Sequence, residues 1–90
     1  MNSHTTKRFR HAFQDLPSPI QRRARVAYQR FQRDPSHQSL QFKQVHASRP
    51  IFSVRVGLGY RALGVRSGDT VVWFWIGSHA DYDRLLARIS

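Results

Sequence analysis

Apolar and polar residues alternate along two segments, Ile51–Val56 and Tyr60–Arg66, which flank the turn Gly57-Leu58-Gly59. A period of two on either side of a glycine-containing turn predicts a β-hairpin. A continuous apolar segment, Val71–Ile76, follows and is typical of a strand that is covered on both faces. Because the turn signal Ser67-Gly68-Asp69 separates this segment from the hairpin, three consecutive antiparallel strands are predicted.

The register of the hairpin brings two arginines together. If the turn is symmetric about Leu58, Arg55 lies directly opposite Arg61 on one face of the sheet. Cross-strand Cβ atoms are about 5 Å apart, and like charges at that separation are destabilising. We therefore expect the two guanidinium groups to be held there to bind an anion.

Helical spacing replaces this alternation in the first third of the chain. Apolar residues recur every three or four positions from Thr6 to Leu16, which predicts a first helix. A second helix is predicted from Ser18 to Arg33, with Ser18 as its N-cap and Gln21 completing a capping box. Asp34-Pro35 ends it. The short connection between them predicts an antiparallel helical hairpin.

Two further elements complete the predicted fold. Leu40–Val45 is expected to form another strand, and Ser78-His79-Ala80-Asp81 matches a capping box that begins a short C-terminal helix. The predicted class is α+β, a helical hairpin packed on a four-stranded antiparallel sheet with a short C-terminal helix. We expect a single domain over residues 1–90, with the polar residues 1–5 frayed.

The composition narrows the classes of molecule that the protein is expected to bind. The chain carries 15 Lys and Arg residues against 5 Asp and Glu, a formal net charge of +10 at pH 7. All but Lys7 and Lys43 of the basic residues are arginine, which suits bidentate contacts to phosphate or carboxylate groups. This excess favours nucleic acid or an acidic protein as the partner.

Several kinds of site and segment are excluded because the sequence lacks the residues that they need. There is no cysteine, so disulfides and thiolate zinc sites are excluded, and the five histidines have no metal-ligand spacing. We predict neither a metal nor a cofactor. No apolar segment has the length of a membrane span and no signal peptide is recognisable, so a soluble, cytoplasmic protein is expected.

The basic and imidazole side chains could cleave RNA without a metal. Arg61 and Arg55 would hold the phosphate that the 2′-hydroxyl attacks, and His79, in the first turn of the last helix, would act as general acid. Lys43 and His46, near the end of the preceding strand, could assist removal of the hydroxyl proton. DNA lacks that nucleophile and would not be cut in this way.

Several neighbouring residues have two interpretations. Tyr82 and Asp81 could position His79, but Asp81 also fits the helix cap and Tyr82 the core. Trp73 and Trp75 alternate with Phe74 and are expected to share one face of the sheet, where core or partner packing is favoured over stacking on bases.

Over residues 6–86 the chain resembles the RelE/ParE toxin superfamily of bacterial type II toxin–antitoxin modules. The matching segments are the helical hairpin ending in Asp34-Pro35, the basic strand SLQFKQV, Ser53-Val54-Arg55, Gly59-Tyr60-Arg61, the strand VVWFWIG, and Gly77-Ser78-His79 followed by Tyr82. The resemblance implies the RelE-like fold, a helical hairpin on an antiparallel sheet.

The resemblance also implies a function. Ribosome-dependent members are endoribonucleases (mRNA interferases) that inhibit translation, and Arg61, Arg55 and His79 match their Gly-Tyr-Arg arginine, a basic strand residue and the terminal acid–base position. ParE-type members instead inhibit DNA gyrase, and this alternative stays open, as does a catalytically degenerate RNA-binding member. The implied partners are the ribosome with its mRNA, and an antitoxin that wraps an acidic or amphipathic segment over the basic face.

Two features depart from the family pattern. Members usually begin with an extra strand, whereas this chain is predicted to start at its first helix. Ser53 stands where some relatives have a lysine.

Overall fold

A computed structural model describes residues 1–89 and contains three α-helices and five strands. In chain order these are β1 (Asn2–Thr5), α1 (Lys7–Gln14), α2 (Ser18–Arg33), a 3₁₀ turn (Gln38–Leu40), β2 (Lys43–Gln44), β3 (Ile51–Val56), β4 (Tyr60–Ser67), β5 (Thr70–Ser78) and α3 (His79–Ile89). The strands form one sheet in the order β1-β5-β4-β3-β2. The predicted α+β class and helical hairpin are confirmed, and the sheet has one strand more than predicted.

The additional strand is β1, so the prediction that residues 1–5 are frayed is wrong. It pairs in parallel with β5, with Ser3 beside Val71. The Asn2 N–H donates to the Asp69 carbonyl at 2.7 Å, and the Trp73 indole N–H donates to the Ser3 hydroxyl at 2.8 Å. Backbone hydrogen bonds and one serine hold this edge strand in place, so it needs no apolar alternation, and the pattern of side chains gave no sign of it.

Side-chain hydrogen bonds fasten the helical hairpin. The Thr6 hydroxyl accepts from the Phe9 N–H at 3.1 Å and caps α1. The predicted capping of α2 by Ser18 is wrong, because Pro17 is the N-cap and Ser18 is already helical. The Gln21 amide instead donates to carbonyls at the end of α1 and just after it, including that of Leu16 at 3.1 Å, and so ties the two helices together.

One face of the sheet packs on α1 and α2. Its core contains Phe31 of α2 and Trp73 of β5, whose rings meet edge to face with centroids 5.3 Å apart. Val54, Val56 and Ala62 belong to the same cluster. Burying this surface on one side leaves the other side of β3 and β4 for α3 and for the polar residues.

A β-bulge in the pairing of β4 with β5 places the tryptophans on opposite faces. Leu63 pairs with Trp75, but the next residue, Gly64, pairs with Trp73, so one residue of β5 is extra. Trp73 therefore faces the helical hairpin, while Trp75 packs with Leu63 and α3. The expectation that they share a face is wrong, because strict alternation does not survive a bulge.

The loop before β3 also differs from the prediction. The strand expected at Leu40–Val45 is reduced to Lys43–Gln44, since Leu40 ends the 3₁₀ turn and is almost fully buried. Gln41 then takes the left-handed conformation, with φ 47° and ψ 45°. This bend carries the chain from the helical face of the sheet to its edge.

Candidate active site on the open face of the hairpin

The hairpin places its arginines as predicted. Gly57, with φ 60°, allows the turn about Leu58, and the resulting register pairs Arg55 with Arg61. By the alternation of the strands both Cβ atoms project from the face turned away from α1 and α2, although the Arg55 side chain also lines the groove beside α2. The predicted register is confirmed, but backbone pairing alone does not decide where the two guanidinium groups go.

Arg61 is enclosed by uncharged groups. Only 8% of the residue is exposed, and Nη2 donates to Oε1 of Gln41 at 2.7 Å. Nη1 donates to the fully buried Ser53 hydroxyl at 3.4 Å. The guanidinium carbon lies 5.6 Å from the centre of the Tyr82 ring, within cation–π range. Arg61 is therefore a buried cation held by an amide, a hydroxyl and an aromatic ring.

Nothing in residues 1–89 neutralises Arg61. The ion pairs in that part of the chain join Asp81 to Arg84 and Asp83 to His79. The Arg61 Nε–H is buried and has no hydrogen-bond partner there. A buried, uncompensated guanidinium with an unused donor is costly, and such groups are commonly kept for binding or catalysis.

Arg55 extends the other way along β3. Its Nε donates to the carbonyl of Gly57 at 3.0 Å, towards the tip of the hairpin, whereas Arg61 reaches back to Ser53. The two side chains share no partner in the described residues, so the structure does not bring the guanidinium groups together around one anion. Like charges separate where each has its own acceptor, and the register alone could not show this.

Lys43 lies on the strand beside this group. It pairs with Ser53 in the antiparallel ladder of β2 and β3, so its Cβ is on the same face as Ser53 and Arg61. Its side chain is exposed to solvent. The sequence could not specify this register, because a slip of one residue would have turned Lys43 to the opposite face.

His79 approaches the site from the start of α3. Its backbone N–H donates to the Gly59 carbonyl at 2.8 Å, which fixes this helix end to the tip of the hairpin. Its ring is 5.5 Å from that of Tyr82 in an edge-to-face arrangement. Tyr82, 7% exposed, therefore lies between Arg61 on one side and His79 on the other.

An acidic residue that the sequence did not single out contacts His79. Asp83 Oδ2 lies 3.2 Å from His79 Nδ1, one helical turn along α3. This contact favours the tautomer with the proton on Nδ1 and leaves Nε2 for another partner. With 51% of its side chain exposed, the imidazole remains accessible to a ligand.

Asp81 serves the helix rather than His79. Its N–H donates to the Ser78 hydroxyl at 3.2 Å, so the predicted N-cap at Ser78 is present, while its carboxylate pairs with Arg84. The hydrogen bond from Arg84 lowers the pKa of Asp81, and the Ser78 hydroxyl lowers it further. Asp81 is thus a cap residue with a partner of its own.

His46 is engaged elsewhere. Its Nδ1 accepts from the N–H groups of Ser48 and Arg49 at 3.1 and 3.0 Å, and its Nε2 contacts the Ile89 carbonyl at 2.8 Å. Since Nδ1 accepts, Nε2 carries the proton and donates to the end of α3. His46 fastens that helix to the turn before β3, and the structure does not bring it to Arg61 and His79.

Gln41 is the site residue that sequence reasoning missed. It lies 20 residues from Arg61 in the chain and reaches it only because the loop bends at its left-handed backbone. No local pattern marks this bend, since residues with positive φ are usually glycine, asparagine or aspartate. Only the path of the loop reveals the contact.

A groove beside α2 adds a second basic surface. We call it the arginine groove; it has a volume of about 600 Å³ and is lined by Pro19, Arg22, Arg23, Val26, Ala27, Arg30, Ser39, Leu40, Arg55, Gly57 and Leu58. Val26 and Leu58 are 51% and 82% exposed. None of the residues lining the groove is acidic, so it combines exposed apolar surface with uncompensated positive charge.

The ParE-like toxin domain family matches residues 18–84, which is most of the chain. The chain belongs to the ParE-like toxin family. This ParE-like segment contains Arg55, Arg61, His79 and Tyr82, and it begins after β1 and α1. No curated protein sequence matches the chain.

Solved toxin structures share the fold of this ParE-like chain. The RelB–RelE antitoxin–toxin complex of Methanococcus jannaschii matches with a TM-score of 0.72 at 22% identity, covering 90% of this chain and 96% of the other. The RelBE2 complex of Mycobacterium tuberculosis matches at 0.63 and 24% identity over 87% and 96%. The isolated E. coli RelE toxin matches at 0.65 and 14% identity over 99% and 98%. The fold is therefore RelE-like.

Within residues 1–89, none of the helices is long and apolar enough to cross a membrane.

Proposed function

We propose that this ParE-like toxin is the toxin of a type II toxin–antitoxin system and acts by cleaving ribosome-associated mRNA. One observation supports this function above the others. Arg61 is a buried cation that no carboxylate in residues 1–89 neutralises, and it shares the Tyr82 ring with an accessible imidazole. A fixed guanidinium next to an acid–base group suits phosphodiester cleavage.

The proposed reaction uses the RNA 2′-hydroxyl as nucleophile. Its oxygen forms a bond to the neighbouring phosphorus while the bond from phosphorus to the 5′-oxygen breaks, leaving a cyclic phosphate and a free 5′-hydroxyl. Arg61 stabilises the negative charge that grows on the phosphate oxygens, and protonated His79 gives its proton to the departing 5′-oxygen. Tyr82, whose ring contacts both side chains, would position them.

The proton of the 2′-hydroxyl passes to a water molecule as its oxygen attacks. Lys43 is exposed and lies on the same face as Arg61, so we assign to it the assisting role: its ammonium group stabilises the negative charge that forms on the attacking oxygen. His46, whose two ring nitrogens already contact backbone groups, is not part of this proposal. The positions of Arg61 and His79 around the Tyr82 ring support the proposed cleavage step.

The arginine groove suits an antitoxin partner. An extended acidic segment with apolar side chains would pair its carboxylates with the arginines and cover Val26 and Leu58. RelE chains of similar fold were crystallised with RelB antitoxins, which supports such a partner here. We propose that the groove holds the antitoxin, while the open face of the hairpin receives mRNA on the ribosome.

Primer extension on translating ribosomes tests the proposed activity. Purified protein added to a translation mixture should produce new 5′ ends within the translated message, and heat-denatured protein should not. Intact message at protein concentrations that arrest growth would reject cleavage. If DNA supercoiling by gyrase were blocked at those concentrations, the gyrase-inhibitor alternative suggested by the family would replace it. Expression without growth arrest would point instead to a plain RNA-binding role.

A further inference from the structure

The hydrogen bonds of Arg61 are incomplete in a specific way. Nε–H and one N–H of Nη2 lie along the same edge of the guanidinium and point in parallel. Gln41 Oε1 accepts from Nη2 at 2.7 Å, whereas the Nε–H beside it is buried and has no partner among the described residues. Arg61 thus has a neutral amide oxygen as the acceptor at Nη2 and no acceptor at the adjacent Nε.

A two-oxygen anion fits that edge better than the amide does. Carboxylate and phosphate groups accept both parallel N–H groups at once, and such charge-assisted bonds are roughly twice as strong as neutral ones. An amide offers only one oxygen. An anion that took the place of Gln41 would give the buried Nε–H its missing acceptor.

Gln41 is placed so that it can leave. It is an exposed residue on the loop before β2, and it holds a left-handed backbone with φ 47° and ψ 45°. That conformation is unfavourable for a residue other than glycine, asparagine or aspartate. Moving the side chain outward disturbs no apolar core, because Gln41 belongs to neither core cluster.

The charges around this edge also favour an incoming anion. Lys43 shares the face with Ser53, the second acceptor of Arg61, and His79 lies across the Tyr82 ring. The acidic residues of α3 already have partners, Asp83 with His79 and Asp81 with Arg84. A phosphate that reached Arg61 would therefore meet positive side chains and no unpaired carboxylate of the described residues.

We propose that Gln41 is a displaceable occupant of the Arg61 edge, which a phosphate of the RNA must replace before the site is competent. Gln41 is thus a gating residue that acts through Arg61. The identification of the anion as an RNA phosphate rests on the proposed function, whereas the exchange of the amide for an anion does not.

Two substitutions should move anion binding in opposite directions. Gln41→Asn keeps a residue that tolerates the left-handed backbone but shortens the side chain by one methylene, so it no longer reaches Arg61. Gln41→Glu supplies a carboxylate that fills both N–H groups of the edge. Gln38→Ala is the matched control, because it removes the same side chain from the neighbouring 3₁₀ turn, where no side-chain hydrogen bond to the described residues is lost.

The Arg61 Nε–H signal in a ¹⁵N-labelled protein reports directly on the edge. It is assigned by its loss in Arg61→Lys and titrated with inorganic phosphate and with a short RNA carrying a 2′-O-methyl group at every position, which blocks cleavage. Gln41→Asn should bind both probes about three- to tenfold more tightly than the parent, and Gln41→Glu at least about tenfold more weakly. Gln38→Ala should match the parent within about twofold.

The outcomes separate this proposal from the proposed function. If Gln41→Asn weakens binding as much as Gln41→Glu does, or if saturating probe leaves the Arg61 signal unmoved, Gln41 only supports the loop and the gating role is overturned. The expected ordering in a protein that leaves ribosomal mRNA intact would support the gate and reject cleavage. Cleavage with an unmoved Arg61 signal would reject the gate alone.

Discussion

Arg55 and Arg61 lie directly opposite each other in one hairpin, yet their side chains differ in burial and in hydrogen-bond partners. Arg61 is enclosed by Gln41, Ser53 and Tyr82 with a donor unused, whereas Arg55 bends to the Gly57 carbonyl and lines the arginine groove. The neighbouring elements create this difference. Gln41 of the loop before β2 and Tyr82 of α3 cover Arg61, whereas the Arg55 side chain stays partly exposed near the tip of the hairpin. The comparison shows that register determines which residues are neighbours, while burial determines which of them holds an oriented charge.

The largest effect is expected from removing the buried member of the pair. Arg61→Ala should lower the rate of mRNA cleavage by about 10²- to 10³-fold, because it deletes the fixed charge that stabilises the phosphate in the transition state. Cleavage is measured by primer extension at equal protein concentration. Arg61→Lys keeps the charge without the two-donor edge and should recover only part of the activity, and the melting temperature of each variant shows whether it is folded.

His79 contacts the same Tyr82 ring as Arg61, and its loss should have the next largest effect. His79→Ala should slow cleavage by about 10²-fold through the loss of the general acid. Asp83→Asn, which leaves the imidazole in place, is the matched variant and should cost far less. Equal rates for parent and His79→Ala would remove the imidazole from the chemistry.

Arg55 should behave as a binding residue. Arg55→Ala should change the cleavage rate by no more than about threefold and should weaken binding of an acidic partner, with a smaller dependence on salt than the parent shows. Titration of an acidic peptide at two salt concentrations measures this. Leu58→Ala removes apolar surface from the same groove without changing charge, and its salt dependence should match that of the parent.

The smallest effect is expected from substituting Asp81, which lies in the first turn of α3 beside the site but is paired with Arg84. Because Arg84 lowers the pKa of Asp81, the ionised carboxylate stabilises the fold at pH values above its ordinary pKa of 3.8. That contribution disappears as the pH falls through the lowered pKa of the native state. Asp81→Asn should therefore lower the melting temperature slightly at pH 7. Parent and variant should converge in strong acid. A difference that grew on acidification would contradict this assignment.

Much of the fold could be predicted from local patterns. The turn about Leu58 and the helix over 18–33 follow from glycine placement and apolar spacing, and both are present. β1 escaped prediction because its backbone, rather than an apolar pattern, attaches it to β5. The faces of Trp73 and Trp75 were wrong because a bulge inserts one residue into the alternation.

The candidate site was predictable only in part. Arg61 and His79 could be chosen from residue type and position, since each lies beside the tip of the hairpin. Their surroundings could not, because Gln41 depends on the path of a loop and the separation of Arg55 from Arg61 depends on which acceptors each finds. Long-range side-chain contacts of this kind leave no periodic trace in a single sequence.

Comparing Arg61→Ala with Arg55→Ala on the same message tests the central claim most directly. Both variants lose one arginine from one register pair, so net charge and strand pairing change alike. We expect new 5′ ends to disappear from translated mRNA with Arg61→Ala and to persist at close to the parental rate with Arg55→Ala. Equal loss of cleavage in the two variants would contradict the claim that burial, rather than position in the hairpin, makes Arg61 the group that acts on the phosphate.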